Sequence, residues 1–417
     1  MGELVQLLLS ENRLEDAAGD ADVRVGIPHG VHDVIGRRLQ SISDECRRAL
    51  GVAAVVGREF DLAGLAEVTQ RPAPELLDVL DEAISERIVS EVAGMPDRLQ
   101  FSHVLIRDVL YEELGASRRR RLHERAGEAL EALHAADLDS HLAELAHHFF
   151  EAGPTGDPGN ALEYVRRAGD RAIGQLAYEE AARLYELGIR VLRTTGLTDE
   201  AMRCDLMLAL ADARLRAGDE VDAKSTFLAA AEIARRLGDS EALGRAALGY
   251  GGLMVWMAAR GDPHLVPLLE EALASLPDSD STLRARLMAR LSCAMRDQPD
   301  RERRLPLSEE ALGMARRLDD QRTLAYALNA RCLSVDDPGS MERLTETARE
   351  VVSVAEEIGE LERAFTGNLY LLCSLLQVGG HRGHEENAQG DAAAWRRAEG
   401  TYISLGRRRA SSCACVI

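Results

Sequence analysis

The spacing of apolar residues changes once in the first quarter of the chain. Between residues 31 and 87 apolar side chains recur every three or four positions, which predicts amphipathic helices, with Ser43 and Asp44 as candidate caps for one of them and Pro74 in the first turn of the last. From "RIVSEV" to "RLQFSH" apolar and polar residues alternate around the turn "AGMPD", which predicts a two-stranded hairpin. Helices followed by such a hairpin predict a winged-helix module.

A second pattern begins after the break "GPTGDPGN" (153–160). Ala234, Ala274, Ala315 and Ala355 recur at intervals of about 40 residues, each after a helical stretch such as "LSEEALGMA". A fixed period of this length predicts paired antiparallel helices stacked on their neighbours, because one pair alone cannot bury its apolar face. The sequence therefore predicts a mainly α protein, in which the winged-helix module is followed by an α-solenoid of tetratricopeptide-like repeats.

Composition narrows the classes of function. Aromatic residues make up only 4% of the chain, which favours helix over sheet, and the formal net charge of −20 favours protein partners over nucleic acid or membrane surfaces. Lys224 is the single lysine, so Schiff-base or phosphate-binding chemistry has one candidate. With no bilayer-length apolar run and no secretion signal at the amino terminus, we expect a cytoplasmic protein.

Two groups of residues come close to known functional spacings. "GDEVDAKS" (218–225) is one glycine short of a phosphate-binding loop and has helical sequence on both sides, so we interpret it as the turn and second helix of a repeat. His141, Glu144 and His148 share one predicted helical face at a spacing that could bind a metal, although histidines beside an apolar face more often serve packing. We therefore predict no metal site and no enzyme activity.

Charge along the chain bears on DNA binding. The only dense basic run, "SRRRR" (117–121), fits a solvated helix start or a partner contact as well as it fits nucleic acid. The candidate recognition helix of the winged-helix module, "PELLDVLDEAISER" (74–87), carries five acidic residues against one basic residue. A helix that reads a DNA groove has to approach phosphates, so we expect no specific DNA binding by this chain.

Three stretches together resemble one family: "GVHDVIGRRLQSISDECRRALGVAAVVGREFDL", "RLQFSHVLIRDVLYEEL" and "HLAELAHHFFEAG". They resemble the region just after the ATPase domain in bacterial regulators of the STAND type (signal-transducing ATPases with numerous domains). In actinobacteria this region is coupled to LuxR-type DNA-binding domains or to class III adenylate cyclase domains. "GELVQLLLSENRLED" resembles the last helix of the ATPase part, whose core is absent from this sequence.

The resemblance implies a role for the histidine at the change of period. In related STAND proteins the winged helix ends in a Met-His-Asp motif followed by Leu/Val-Arg-Asp, and that histidine contacts the phosphate of the bound nucleotide. "FSHVLIRDVL" places His103, Arg107 and Asp108 similarly, with Ser102 and Val104 replacing the methionine and the aspartate. His103 and Arg107 would then sense nucleotide only beside an ATPase domain, and no cofactor is expected in this chain itself. A histidine that caps the helix start or packs in the module is an equal alternative.

These inferences give one predicted function and one alternative. The prediction is a non-catalytic regulatory arm of a STAND-type regulator, with repeats that bind a protein partner or a small inducer and an output through transcription or a cyclase. The alternative is a free-standing tetratricopeptide-type scaffold. The predicted segments are a remnant of the ATPase-domain terminal helix (1–28), the winged-helix module (29–115), a helical connector (116–152), the repeats (161–378) and a divergent or disordered tail (379–417).

Overall fold

The chain is mainly helical and divides into two compact units, Met1–Asp157 and Pro158–Ile417. The division falls inside the predicted break "GPTGDPGN". The computed structural model describes residues 35–36, 38–153, 156–252, 259–334 and 341–379. The predicted ATPase remnant lies outside the described residues, as does the predicted tail beyond Gly379.

The first unit combines α-helices with three short strands over its described residues. In chain order these elements are α1 (Asp44–Val56), β1 (Glu59–Asp61), α2 (Leu62–Thr69), α3 (Ala73–Ser85), β2 (Val89–Val92), β3 (Met95–Phe101), α4 (Val104–Glu113), α5 (Ala116–Leu133) and α6 (Leu142–Ala152). Ser43 caps α1 as predicted, because its side chain accepts a hydrogen bond from the Cys46 backbone N–H at 3.2 Å.

The strands form an antiparallel sheet in the order β1-β3-β2. The predicted hairpin is present as β2 and β3, with Val89 opposite Phe101. One prediction for this region is wrong, since Phe60 and Asp61 belong to β1 and not to a helix. Phe60 pairs with Leu99 of β3. The Asp61 side chain accepts a hydrogen bond from the Gly64 backbone N–H at 2.5 Å and so caps α2, which begins at the next residue, Leu62.

The apolar faces of these elements meet in one core. Phe60 of β1 and Phe101 of β3 are buried with their ring centroids 5.6 Å apart. Leu50, Leu65 and Leu80, from three different helices, are fully buried in the same cluster. Each such side chain stabilises the fold by about 1.5–3 kcal/mol through burial. The sheet and the helices therefore hold the junction between β3 and α4 on a rigid support.

The second unit consists of successive helices over its described residues. They are α7 (Pro158–Gly174), α8 (Tyr178–Thr195), α9 (Glu200–Ala217), α10 (Glu220–Leu237), α11 (Ser240–Tyr250), α12 (Leu265–Ser275), α13 (Thr282–Ala294), α14 (Arg304–Leu318), α15 (Gln321–Leu333), α16 (Met341–Glu357) and α17 (Leu361–Gly379). Each helix packs on the next one along the chain, and α9, α11, α13, α15 and α17 also contact one another in that order. Alternate helices therefore form a continuous layer, which we call the first-helix layer.

The turns between paired helices repeat a Gly-Asp dipeptide. Gly218 and Gly238 end α9 and α10 in the left-handed conformation, with φ of 95° and 67°. Asp219 and Asp239 then accept backbone N–H bonds at the start of the following helices. Asp319 takes the glycine position after α14 with φ of 54°, a conformation that costs an L-residue more than it costs glycine. Local chemistry thus fixes where these helices stop and restart.

One of the four periodic alanines does not occupy the predicted position. Ala234, Ala315 and Ala355 are buried, but Ala274 is exposed and Ala272 takes the buried place. The buried face of α12 runs through Leu265, Leu268, Leu269 and Ala272. Ala274 lies two residues further on, about 200° around the helix, and so points away from that face.

Candidate functional site

His103 lies where β3 ends and α4 begins, as the change of period predicts. It is the N-cap residue of α4, with φ of −146° and ψ of 138°, and its Nδ1 accepts a hydrogen bond from the Leu105 backbone N–H at 3.2 Å. An accepting Nδ1 carries no proton, so the proton of the neutral ring sits on Nε2. The side chain is exposed, and no described residue hydrogen-bonds to Nε2. The geometry therefore combines a helix cap with an outward-facing N–H donor.

Arg107, one turn further along α4, is held inside the unit. Its Nε donates to the Ala54 carbonyl at 3.0 Å, in the last turn of α1, where a cation also interacts favourably with the helix dipole. Its Nη1 lies 3.4 Å from the Asp108 carboxylate, and its guanidinium lies 5.7 Å from the Tyr111 ring centroid. Arg107 thus ties α4 to α1, and a nucleotide-sensing role for His103 and Arg107 stays a prediction.

The three residues with metal-like spacing do not converge. His141 Nδ1 pairs with Glu144 Oε2 at 3.1 Å, and its ring stacks on His134 with centroids 3.8 Å apart. His148, only 3% exposed, turns instead into the core against His123. In the described part of the chain no group of three His, Cys, Asp or Glu residues could hold a metal ion.

A buried chain of polar groups, which the sequence pattern did not predict, joins α4, α5 and α6. The Tyr111 hydroxyl lies 2.9 Å from His123 Nε2, and His123 Nδ1 lies 3.0 Å from His148 Nδ1. The Val56 backbone, at the end of α1, acts on His148 in the direction that raises its pKa, against the larger effect of burial. With both rings uncharged, one of the two facing Nδ1 atoms donates and the other accepts.

Both histidines of this buried network, His123 and His148, are neutral in the folded protein. Burial, followed by the neighbouring His148, lowers the pKa of His123 from 6.5 to about 2. Burial, followed by His147, lowers the pKa of His148 to about 3. A proton on either ring would place a positive charge in the core, away from water and without a carboxylate hydrogen-bonded to the ring among the described residues. The network is therefore built for the uncharged form.

Lys224 lies near the start of α10, directly after the helix α9 and not after a strand. Its Nζ is 3.0 Å from Glu220 Oε1 and 3.4 Å from Asp262 Oδ2, and it lies 5.5 Å from the Tyr250 ring centroid. The Tyr250 hydroxyl donates to the same Asp262 carboxylate at 2.9 Å. The lysine borders a cavity of about 740 Å³, but its charge is already balanced by two carboxylates.

A second cavity, of about 550 Å³, runs along the first-helix layer of the second unit, and we call it the repeat groove. Side chains from seven helices of the second unit border it, so several repeats together form this groove. Its aromatic and charged residues are Tyr185, Phe227, Tyr326, Asp170, Asp212, Arg216, Arg245 and Arg286.

The charged groups of the repeat groove have partners within the fold: Arg216 pairs with Asp212 at 2.7 Å and Arg245 with Asp205 at 3.0 Å. The Tyr185 hydroxyl donates to Asp170 at 2.8 Å, and burial together with this bond raises the pKa of Tyr185. Arg286 Nε donates to the Thr323 hydroxyl at 3.0 Å, and its guanidinium lies 5.9 Å from the Tyr326 ring centroid. The guanidinium of Arg363 lies 4.9 Å from the centroid of the same, largely buried ring, so two cations border this end of the groove and favour an anionic group in a ligand.

Glycines shape the wall of the repeat groove. A Cβ on Gly249 of α11 would lie 2.2 Å from the Phe227 ring, and one on Gly169 of α7 would lie 2.5 Å from the Tyr185 ring. The two aromatic rings therefore lie directly on the backbone of neighbouring helices. This close approach sets the depth of the groove.

Comparison with known proteins gives structural neighbours only. No protein-family model matches the chain, and no curated protein matches it. Among solved structures, it is similar to a STAND protein with a tetratricopeptide repeat sensor from Pyrococcus horikoshii, at 12% identity and a TM-score of 0.38, covering 92% of this chain and 65% of that one. It is also similar to a circular tandem repeat protein, at 16% identity and a TM-score of 0.16, covering 92% of this chain and 89% of that one. This chain spans 65% of the length of the STAND protein.

No helix in the described residues is long and apolar enough to cross a membrane.

Proposed function

We propose that the chain is a non-catalytic regulatory arm of a STAND-type ATP-dependent regulator with a transcriptional or cyclase-linked output. In this proposal the first unit is a winged-helix module that reports nucleotide state, and the second unit is a set of tetratricopeptide-like repeats that binds a protein partner or a small inducer. The observation that carries the binding role is the repeat groove, which is open, bordered by many helices and lined by aromatic and charged side chains.

The element order of the first unit supports a winged-helix module. A helix, a short strand, two helices and a hairpin follow one another, and β1 pairs with β3 to complete a three-stranded sheet. In this arrangement α3 would be the recognition helix, yet Glu75, Asp78, Asp81 and Glu82 are all exposed on it. Its charge repels phosphates, which supports a signalling role without specific DNA binding.

The helix starts of the second unit support a repeat close to the predicted period. The first helices of successive pairs begin at Glu200, Ser240, Thr282, Gln321 and Leu361, which are about 40 residues apart. Neighbouring pairs contact each other directly. Repeats of this type present one layer of helices to a ligand, and the repeat groove lies on that layer.

Substitutions of residues in the repeat groove test the binding role. The full chain and its Arg286→Ala and Tyr326→Ala variants would be used to capture partners from a native extract, with bound proteins quantified by mass spectrometry and bound small molecules by extraction. Arg316→Ala is the matched control, because Arg316 pairs with Glu350 away from the groove. We expect one ligand to be retained by the wild type and the control and to fall at least tenfold in both groove variants. Equal retention by all four proteins contradicts the binding role.

A separate experiment distinguishes a STAND arm from a free-standing scaffold. His103→Ala and His103→Asn would be compared in a chain joined to a STAND ATPase domain. Asparagine keeps an acceptor for the helix cap but cannot present the Nε2–H in the same place. We expect both variants to change ADP retention if His103 faces a phosphate. Unchanged ADP retention in both favours the scaffold and leaves the groove experiment unaffected.

A further inference from the structure

An arginine pocket lies in the first unit, apart from His103 and from the repeat groove. It is a cavity of about 500 Å³ between α1, α2, α3 and α5. Arg48, Arg118, Arg121 and Arg125 border it, and buried aliphatic side chains, Val52 and Leu122 among them, form its floor. Glu45 is the single carboxylate of the lining, and it is already paired at 2.9 Å with Arg71, a fifth arginine that borders the pocket.

The four arginines have no counter-charge of their own. In the described part of the chain no side-chain hydrogen bond or ion pair is formed by Arg48, Arg118, Arg121 or Arg125. Arg118, Arg121 and Arg125 lie three and four residues apart on α5, so they share one helical face and repel one another. The protein carries a net charge of −20, so carboxylates are plentiful, yet none of the described ones pairs with these four arginines.

The start of α5 makes the position of these arginines still less favourable. The helix begins at Ala116 with Gly115 as its N-cap, no side chain caps it, and its first turn contains no acidic residue. The positive end of the helix dipole therefore faces the arginines of "SRRRR". An anion in the pocket would offset both the mutual repulsion of the arginines and their unfavourable position at the positive end of the helix dipole.

We propose that this pocket binds a small anion that carries two or more phosphate groups. Guanidinium groups form paired hydrogen bonds to phosphate oxygens, and four of them around one cavity call for more than one negative charge. The volume is that of a small-molecule site, and the aliphatic floor lowers the local dielectric and strengthens each contact. The lining contains no aromatic side chain, so the ligand is recognised by its phosphates and not by a base.

The probes are sodium pyrophosphate and tripolyphosphate, titrated calorimetrically into the full chain in phosphate-free buffer. We expect saturable binding that weakens as salt is raised, with ADP no tighter than pyrophosphate because no ring stacks on a base. Arg121→Gln and Arg125→Gln should each reduce pyrophosphate affinity at least tenfold. Arg120→Gln is the matched control: it removes the same charge from the same basic run but does not border the pocket, and it should change affinity less than twofold.

Thermal melting tests the same site without depending on the folding of one variant. Pyrophosphate should raise the Tm of the wild type and of Arg120→Gln, while Arg118→Gln should have a higher Tm than the wild type without pyrophosphate and gain less from it. The proposal is overturned if pyrophosphate does not saturate, if sulfate at equal ionic strength binds as well, or if Arg120→Gln loses as much affinity as Arg121→Gln. Binding of hexaglutamate without binding of pyrophosphate would also overturn it, in favour of an acidic protein partner.

Discussion

The buried histidine pair makes the stability of the first unit depend on pH. His123 is fully buried and His148 nearly so, and burial lowers the pKa of both from 6.5, to about 2 and about 3. Below pH 6.5 the unfolded chain therefore binds protons that the folded unit does not. The stability linked to the pair is complete above pH 6.5 and is lost as the pH falls from 6.5 towards about 3.

The expected magnitude follows from the proton count. One pH unit below the unfolded pKa is equivalent to about 1.4 kcal/mol for each group that stays neutral in the folded state. Between pH 7 and pH 4.5 each histidine should therefore remove roughly 2.5 kcal/mol of unfolding free energy, and the pair roughly 5 kcal/mol. A loss of that size is comparable with the whole stability of a small domain.

The perturbation is His123→Gln. The glutamine amide can accept from Tyr111 and donate to His148 but does not titrate. Its unfolding free energy should fall roughly 2.5 kcal/mol less than that of the wild type between pH 7 and pH 4.5. Carboxylates that titrate in both proteins cancel in the difference. Tyr111→Phe is the control, since it removes one hydrogen bond, worth about 1 kcal/mol, and should leave the pH slope unchanged.

Hydrogen exchange in urea, read by mass spectrometry on peptides from α4 to α6, reports the unfolding free energy of this unit separately from the repeats. Proton NMR gives a second readout, in which the ring protons of His123 and His148 should keep their chemical shifts from pH 8 to pH 5. Equal pH slopes for the wild type and His123→Gln, or ring shifts that move with a midpoint near 6.5, would refute the buried neutral pair.

Three further predictions concern single positions. Gly169→Ala should lower the stability of the repeats by about 1–3 kcal/mol, because its Cβ would lie 2.5 Å from the Tyr185 ring. Gly313→Ala should raise the stability by up to about 1 kcal/mol, because only the flexible end of an arginine lies near its Cβ, at 3.4 Å. Denaturant midpoints of the two variants measure the difference. His103→Ala should cost about 1 kcal/mol as a lost cap and leave pyrophosphate affinity unchanged by calorimetry, and a loss above 3 kcal/mol would show a core role. Asp319→Gly should raise the melting temperature, because the residue has φ of 54°, and a fall would contradict the strain argument.

Local chemistry explains which elements of the fold were predictable. The hairpin, the Ser43 cap and the Gly-Asp turns depend on residues close together in sequence, and a pattern of a few positions contains the information. The strand β1 was not predictable, because three residues are too few to show an alternating period and Phe60 joins the sheet only by pairing with β3. The exposure of Ala274 was not predictable from the 40-residue spacing, because the buried face of α12 runs through Leu265, Leu268, Leu269 and Ala272.

The same difference between local and long-range interactions decides what could be predicted of the candidate sites. The position of His103 could be predicted from the change of period, but its ring orientation and the proton on Nε2 could not, because they depend on a bond to the Leu105 N–H. The contact of His123 with His148 joins residues 25 positions apart on two helices. His148 was predicted to share a helical face with His141, but in the structure its side chain is buried in the core against His123.

The distribution of charge connects the two units to their proposed roles. In the repeats, many arginines are paired with carboxylates, as in Arg235 with Glu271 at 2.6 Å and Arg317 with Asp280 at 2.6 Å. Such exposed pairs add little stability each, but they leave the surface locally neutral. Around α5 the opposite holds, since Arg121 and Arg125 face a cavity whose single carboxylate, Glu45, already pairs with Arg71. A chain with so many acidic residues and paired arginines elsewhere leaves this cluster open where an external anion can reach it. Removing Arg121 therefore weakens pyrophosphate binding while relieving repulsion, so affinity and stability should change in opposite directions.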